Sequence, residues 1–301
     1  MKRIVSVSLG SSRRNHKVRL ELLGETCEIE RIGTDGDIRK AVALIRELDG
    51  RVDAFGMGGT DLYLVAGRRR YVLRASLPLA RAAVRTPIVD GSGLKNTLER
   101  RVVRQLAREG VIDFPRQRVL VTVAVDRFGM AEALAETGCE LILGDLIFAL
   151  GIPIPLRSLR TLERLARVIA PIATRLPLTV LYPTGEKQEQ TVPRHGKFFA
   201  WADIIAGDWH YIRRHMPPAL PGKTILTNTV TPEDVELLRR RGARLLVTTT
   251  PELGGRSFGT NVMEAVLVAL SGRRPEELGP ADYERLLDAL DFRPRIEHLQ
   301  A

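Results

Sequence analysis

Residues 119–145, VLVTVAVDRFGMAEALAETGCELILGD, decide the reading of this chain. An apolar run, a turn, an Ala- and Glu-rich run and a second apolar run ending in an acid follow one another within the length of one strand–helix–strand unit. Such a unit usually opens its helix with G-x-G-x-x-G, so that backbone amides can approach a pyrophosphate at the positive end of the helix. Here Ala124, Asp126 and Gly129 occupy the three glycine positions, and only the third glycine is kept. Asp145 stands about 20 residues beyond the turn, where the dinucleotide fold carries its ribose-binding acid. The stretch therefore predicts a parallel α/β sheet and makes Asp126, Gly129 and Asp145 candidate cofactor contacts.

Outward from this unit the α/β pattern continues in both directions. Toward the amino terminus, IVSVSL and VDAFGM read as buried strands around the amphipathic helix DIRKAVALIREL, with shorter strand candidates at VRLELLG, CEIERIG, LYLVAG and RYVLR. TPIVDGSG ends a strand in a flexible loop, and LKNTLERRVVRQLAREG places Leu94, Leu98, Val102 and Leu106 on one helical face. Toward the carboxyl terminus follow ADIIAGD, KTILTNTV, the helix TPEDVELLRRRG and ARLLVTTT. Thr231 caps that helix, with Pro232 at its first position. The expected organisation is α/β with two domains. An N-terminal α/β substrate domain spans 1–112. A Rossmann-like doubly wound parallel sheet spans 113–270, with a proline-punctuated insertion at about 151–199, and a helical tail spans 271–301.

Length and composition agree with a globular protein. The 301 residues are 44% hydrophobic and 27% charged, enough for a large core. The net charge of +10 comes from 46 Lys and Arg, scattered in pairs and triplets with few aromatics between them, which speaks for solvated helix faces over a nucleic-acid surface. Two cysteines, Cys27 and Cys139, form no disulfide framework and point to a reducing, cytoplasmic setting. The amino terminus lacks the apolar core of a signal peptide. The apolar stretch 141–156 is interrupted by Asp145 and ends among Gly151, Pro153 and Pro155, short of a membrane span. Self-association through residues 146–172 is compatible with that apolarity.

Several segments resemble the shikimate/quinate 5-dehydrogenase family, notably bacterial proteins often labelled quinate 5-dehydrogenase. GSGLKNTLERRVVRQLAREGVIDFPRQRVLV is similar to the family's Asn-Thr-Asp segment, which opens a connecting helix before the first Rossmann strand. ADIIAGD, KTILTNTVTPEDVELLRRRGA and GTNVMEAVLVALSGRRP resemble its later strand, its strand and helix ending in Arg-Gly-Ala, and its returning helix. The resemblance covers residues 86–145 and 201–275. It implies NAD or NADP as cofactor, a polyhydroxylated cyclic acid such as quinate or shikimate as substrate, and substrate contacts at Asn96 and Thr97. Three departures fall on the chemistry. Leu98 replaces the aspartate of Asn-Thr-Asp, the family's Val-Thr-x-Pro-x-Lys segment has no counterpart, and two phosphate-loop glycines are missing.

Oxidation of an alcohol needs a group that takes the hydroxyl proton. Lys95 follows a glycine-rich strand-end loop and is the candidate, with Asp90 as its partner and Asp61 as a second cleft acid. Each has a plainer reading: a surface lysine in a first helical turn, a turn cap, and a hairpin acid. Ser11 and Ser12, followed by Arg13, Arg14 and His16, would suit an anionic group. The dense polar run Thr248 to Asn261, with Asn228 and Thr229 ending the neighbouring strand, lies at the sheet edge where open α/β proteins bind ligands. From it come Thr248 and Thr249 as cofactor contacts, and Asn228, Arg256 and Asn261 as substrate contacts. His210, beside Asp208, has the same possible placement. The five histidines show no metal spacing, and no G-x-S-x-G elbow is present. The alternative to a dehydrogenase is an α/β ligand-binding protein that keeps the cleft and has lost dinucleotide chemistry.

Overall fold

Two parallel sheets, each flanked by helices, account for most of the chain. A computed structural model describes residues 1–66, 69–178, 191–253 and 256–300, and the side chains of Val65, Ala66 and Arg256 lie outside the description. The first sheet has the order β2-β3-β1-β4-β7, with β1 Lys2–Ser8, β2 His16–Leu22, β3 Glu25–Gly33, β4 Ala54–Gly58 and β7 Ile88–Val89. All are parallel except β2, which pairs antiparallel with β3. That hairpin turns through Leu23 and Gly24, both at positive φ, the geometry that matches strand twist in a two-residue loop. β5 Tyr63–Ala66 and β6 Arg69–Val72 form a separate hairpin, as do β13 Glu252–Leu253 and β14 Arg256–Ser257. β1 sits in the middle, so its apolar run needs no alternation, and residues Ile4 to Ser8 are all buried.

The second sheet has the order β15-β12-β11-β10-β8-β9. Its strands are β8 Arg118–Val121, β9 Glu140–Leu143, β10 Ile204–Ala206, β11 Thr224–Thr227, β12 Leu245–Thr248 and β15 Arg295–His298. Read from β8, the five parallel strands run 2-1-3-4-5, the flavodoxin-type winding, where a full dinucleotide fold runs 3-2-1-4-5-6. The strand that would extend the sheet past β9 does not form among the described residues. In its place a π-helical turn, Asp145–Ala149, and the helix Leu159–Ala173 carry the chain back across. The expected insertion at 151–199 includes that helix, and residues 179–190 lie outside the described residues.

The helix Thr260–Ser271 follows the second sheet in sequence and packs on β1, β3 and β4 of the first, the placement that the likeness to a returning helix implies. Its apolar residues are buried on nearly every side, which removes the stripe that would have shown its partner. The tail is not purely helical. After the helix Pro280–Ala289, β15 adds an antiparallel edge to β12, anchored by buried Phe292 and Leu299 on either side. Among the described residues no helix is long and apolar enough to cross a membrane.

The returning helix requires close approach at Gly56, where an added Cβ would meet the Asn261 backbone oxygen at 2.9 Å. Gly56→Val should therefore cost about 2 kcal/mol or more of unfolding free energy. Urea unfolding checks this, and an unchanged midpoint would show that the helix does not sit tightly on β4.

Candidate functional site

The carboxyl ends of both sheets face one another across a cleft of about 950 Å³ of empty space, open solvent at its mouth included. From the first half, β1 contributes Ser6 and Ser8, β3 contributes Arg31, and the turn after β4 contributes Gly58 to Asp61. From the second half come Asp126 and Arg127 after β8, Asp208, His210 and Tyr211 after β10, and Asn228 and Thr229 after β11. Each sheet reverses its winding beside its first strand, and open α/β sheets bind ligands at that point.

The helix Ser92–Arg108 connects the halves, and Lys95 lies in its first turn. Its Nζ donates to Asp61 Oδ1 at 3.0 Å and to Asp126 Oδ1 at 3.1 Å, so one ammonium bridges the two halves. Asp90, the expected partner of Lys95, is engaged elsewhere. Its carboxylate accepts from the amides of Leu62 at 2.5 Å, Tyr63 at 3.1 Å and Ser92 at 3.0 Å, although it still borders the cleft. Sequence spacing favoured Asp90 because it is close in the chain. The turn after β4 instead delivers Asp61 across 34 residues.

Behind Lys95 lies Arg127. Its guanidinium donates to Glu99 Oε1 at 2.6 Å, Asp208 Oδ2 at 2.7 Å and Asp126 Oδ2 at 3.1 Å. Asp208 also accepts from Asn228 Nδ2 at 2.9 Å. Four carboxylates, those of Asp61, Glu99, Asp126 and Asp208, thus share two cations, Lys95 and Arg127. Full ionisation would leave excess negative charge in a buried place, which is costly. The environment relieves it unevenly. Burial, aided by the charges of Asp126 and Asp90, pushes Asp61 up to about 7 despite Lys95. Burial also raises Glu99 above its ordinary range. Asp126 and Asp208 are pushed up by burial too, but Lys95 and Arg127 for the first, and Arg127 for the second, hold them below the usual carboxylate range. Burial would lower Lys95, and the Asp126 and Asp61 carboxylates outweigh it, so the amine stays protonated.

Two further arginines line the cleft. Arg31 donates to the Ser11 carbonyl at 3.1 Å and Ser8 Oγ at 3.0 Å, and Arg14 lies within 3.6 Å of Asp234. His210 is lowered to about 4 by burial and by Arg14, so its ring is neutral near pH 7. Its Nδ1 is buried and has no hydrogen-bond partner among the described residues.

Several expected contacts have other work. Asp145, after β9, turns toward the neighbouring loop after β8, accepting from Ala124 N at 3.1 Å and Val125 N at 2.8 Å. Asn96 Oδ1 takes the Gly129 amide at 2.9 Å, and Gly129 serves helix packing, since a Cβ there would meet Asn96 Cα at 2.7 Å. Three amides of this turn, those of Ala124, Val125 and Gly129, are therefore engaged by side chains of the protein, Asp126 presents a carboxylate beside them, and the residues present do not fit a dinucleotide held in the usual way. Thr248 and Thr249 are fully buried and away from the cleft; the Thr248 hydroxyl donates to the Thr250 carbonyl at 2.6 Å. Ser11 accepts from Arg13 N at 3.3 Å, the Ser12 amide donates to Asp35 at 2.6 Å, and Thr97 is buried in its helix, so none of the three borders the cleft. Asn228 and Asn261 do border it, Asn261 Nδ2 donating to Ser6 Oγ at 2.8 Å. Arg256, Gly254 and Gly255 carry expectations that lie outside the described residues or side chains. Sequence reasoning missed Arg31, Glu99, Arg127 and Tyr211. The arginine beside Asp126 was the one local signal among them. Among the described residues no group of three or more His, Cys, Asp or Glu is placed to hold a metal ion.

The family comparison covers both halves. Residues 93–299 match the family model described as domain of unknown function (DUF8754), and residues 3–90 match that of domain of unknown function (DUF8753). The chain belongs to the DUF8754 family. No curated protein matches it. Among solved structures, a galactofuranose binding protein is similar at 13% identity, with 97% of this chain and 99% of that one covered and a TM-score of 0.37. GanP, a glucose-galactose binding protein from Geobacillus stearothermophilus, is similar at 10% identity, with 99% and 97% covered and a TM-score of 0.35. An NAD-dependent malic enzyme from Thermotoga maritima is similar at 12% identity, with 96% and 84% covered and a TM-score of 0.34.

Two expectations follow from the charge network. Arg127→Met leaves Glu99, fully buried, without its cation and should cost about 3–5 kcal/mol, a large part of which Glu99→Gln restores in the double variant. Equal losses in the single and double variants would remove Glu99 from the argument. For Asp61, the folded value of about 7 lies above the unfolded 3.8, so its protonated form favours folding and stability is lost as pH rises from about 4 to 7. Unfolding free energies of Asp61→Asn measured against the unchanged chain should shift in the variant's favour over that window and level off above it.

Proposed function

We propose that this member of the DUF8754 family binds a small, polyhydroxylated, anion-bearing ligand in the cleft between its two sheets, without dinucleotide chemistry. One observation carries the proposal. Polar side chains from both halves converge on the cleft, while Asp145 and Asn96 occupy the amides that a pyrophosphate would need. The lining suits such a ligand in two ways. Arg31 and Arg14 supply positive charge for a carboxylate or similar anion. Asp61, Asp126 and Asn261 supply acceptors and an amide for hydroxyl groups, and the Lys95 ammonium can donate to a hydroxyl oxygen between them.

A second reading keeps the chemistry expected from the sequence, an NAD(P)-linked oxidoreductase of quinate-like hydroxy acids. The Lys95–Asp61 pair favours it, because an acid poised near 7 beside an ammonium can exchange a proton with a ligand hydroxyl. The engaged loop amides weigh against it.

Calorimetric titration separates the two. Quinate, shikimate and gluconate are expected to give saturable binding, weakened about tenfold or more by Arg31→Ala, while NAD, NADH, NADP and NADPH give none. Saturable binding of any of the four nucleotides that is lost in Asp145→Ala would overturn the first reading in favour of the second.

A further inference from the structure

We infer that the ligand is an amphiphile, whose polar head lies in the cleft and whose apolar chain or ring lies in an adjoining chamber between the second half and the β5–β6 hairpin of the first. The inference rests on the cleft reading above and concerns the other end of the same ligand. A second cavity, with about 1320 Å³ of empty space including open solvent, lies beside the cleft. Asp126 and Tyr211 border both spaces, so they adjoin at these two side chains.

Past that boundary the wall changes character. Leu162, Leu165, Ala166 and Ile169 face the chamber from the helix Leu159–Ala173, at the i, i+3, i+4, i+7 spacing of one helical face. Val125 and Leu146 close it from the loops after β8 and β9. Among the described lining residues only Asp126, Asp145 and Tyr211 are polar, and the Asp145 carboxylate is already taken by two amides. Leu150 and Ile172 stand half or more exposed at the rim, where a chain can enter.

The position of the chamber explains its chemistry. It borders the end of β9 and the loop after β8, the side of a doubly wound sheet on which a dinucleotide's ribose meets its acid. Here the acid is turned inward, the sheet ends at β9 among the described residues, and the apolar face of an amphipathic helix covers the space. An apolar group gains by leaving water in such a place, whereas a ribose or adenine would give up hydrogen bonds to water for few in return.

The test uses two carboxylic acids that differ only in chain length, butanoate and decanoate, each below its micellar range, with calorimetry on the full chain. Decanoate should bind at least about tenfold tighter than butanoate. Ala166→Phe, which fills the chamber, and Leu165→Glu, which charges its wall, should each erase that preference, with circular dichroism showing that both variants fold. Arg31→Ala should weaken both acids alike. No chain-length preference in the unchanged protein, or a preference kept in both folded chamber variants, would overturn the chamber. If Arg31→Ala has no effect while the chamber variants lose the preference, the chamber stands and the cleft reading falls. Weakening by Arg31→Ala without any chain-length preference gives the reverse.

Discussion

One ammonium between two carboxylates sets the terms for the rest of this structure. Lys95 leaves the connecting helix to meet Asp61 of the first half and Asp126 of the second. Burying three charged groups is costly, and salt bridges in such places seldom return much net stability. What the arrangement supplies is geometry. The bridge spans the two halves, and Arg127 locks its outer member to Asp208 and Glu99, so the strand ends that line the cleft share one charge network. The excess of carboxylates over cations favours the protonated form of the acids that burial raises, and Asp61, pushed up to about 7, borders the cleft.

The architecture was largely legible from the sequence, and the network was not. Buried parallel strands appear as unbroken apolar runs, so β1, β4, β8, β9, β11 and β12 could be read directly. Thr231 announced its cap, which the structure completes as a capping box with Asp234. By contrast Asp61, Lys95 and Asp126 lie more than thirty residues apart from one to the next, and no local pattern links them. Asp90 looked the better partner for Lys95 because proximity in sequence was the only available guide. Arg31 was hidden in a strand whose other charges alternate toward solvent, and Arg127 passed as one more member of an arginine-rich surface.

Threonines misled for a different reason. Thr248, Thr249 and Thr250 form a polar run at a strand end, the place where ligands bind in folds of this kind. Short hydroxyl side chains can instead bond to nearby backbone. Thr250 donates to the carbonyls of Asn228 and Phe258, both at 2.7 Å, holding the crossover loop in place. Polarity at a strand end marks a position that must be satisfied, and a carbonyl of the chain satisfies it as well as a ligand does.

The altered phosphate loop shows how such satisfaction can redirect a fold. Losing the first two glycines does not by itself bar a phosphate, because the amides remain. What changes the site is that protein groups now occupy them: Asp145 accepts from Ala124 and Val125, and Asn96 accepts from Gly129. The Asp145 carboxylate thus sits on the loop where an anionic ligand would otherwise bring its charge, and the neutral Asn96 side chain takes the amide within the helix's first turn. The sheet then has no reason to present a polar floor beyond β9, and the helix Leu159–Ala173 can lay an apolar face there. With Ala124 and Asp126 in place of two glycines and the loop amides bonded to Asp145 and Asn96, the space beside β9 is lined by apolar side chains, and the charge network at Lys95 keeps the polar cleft beside it.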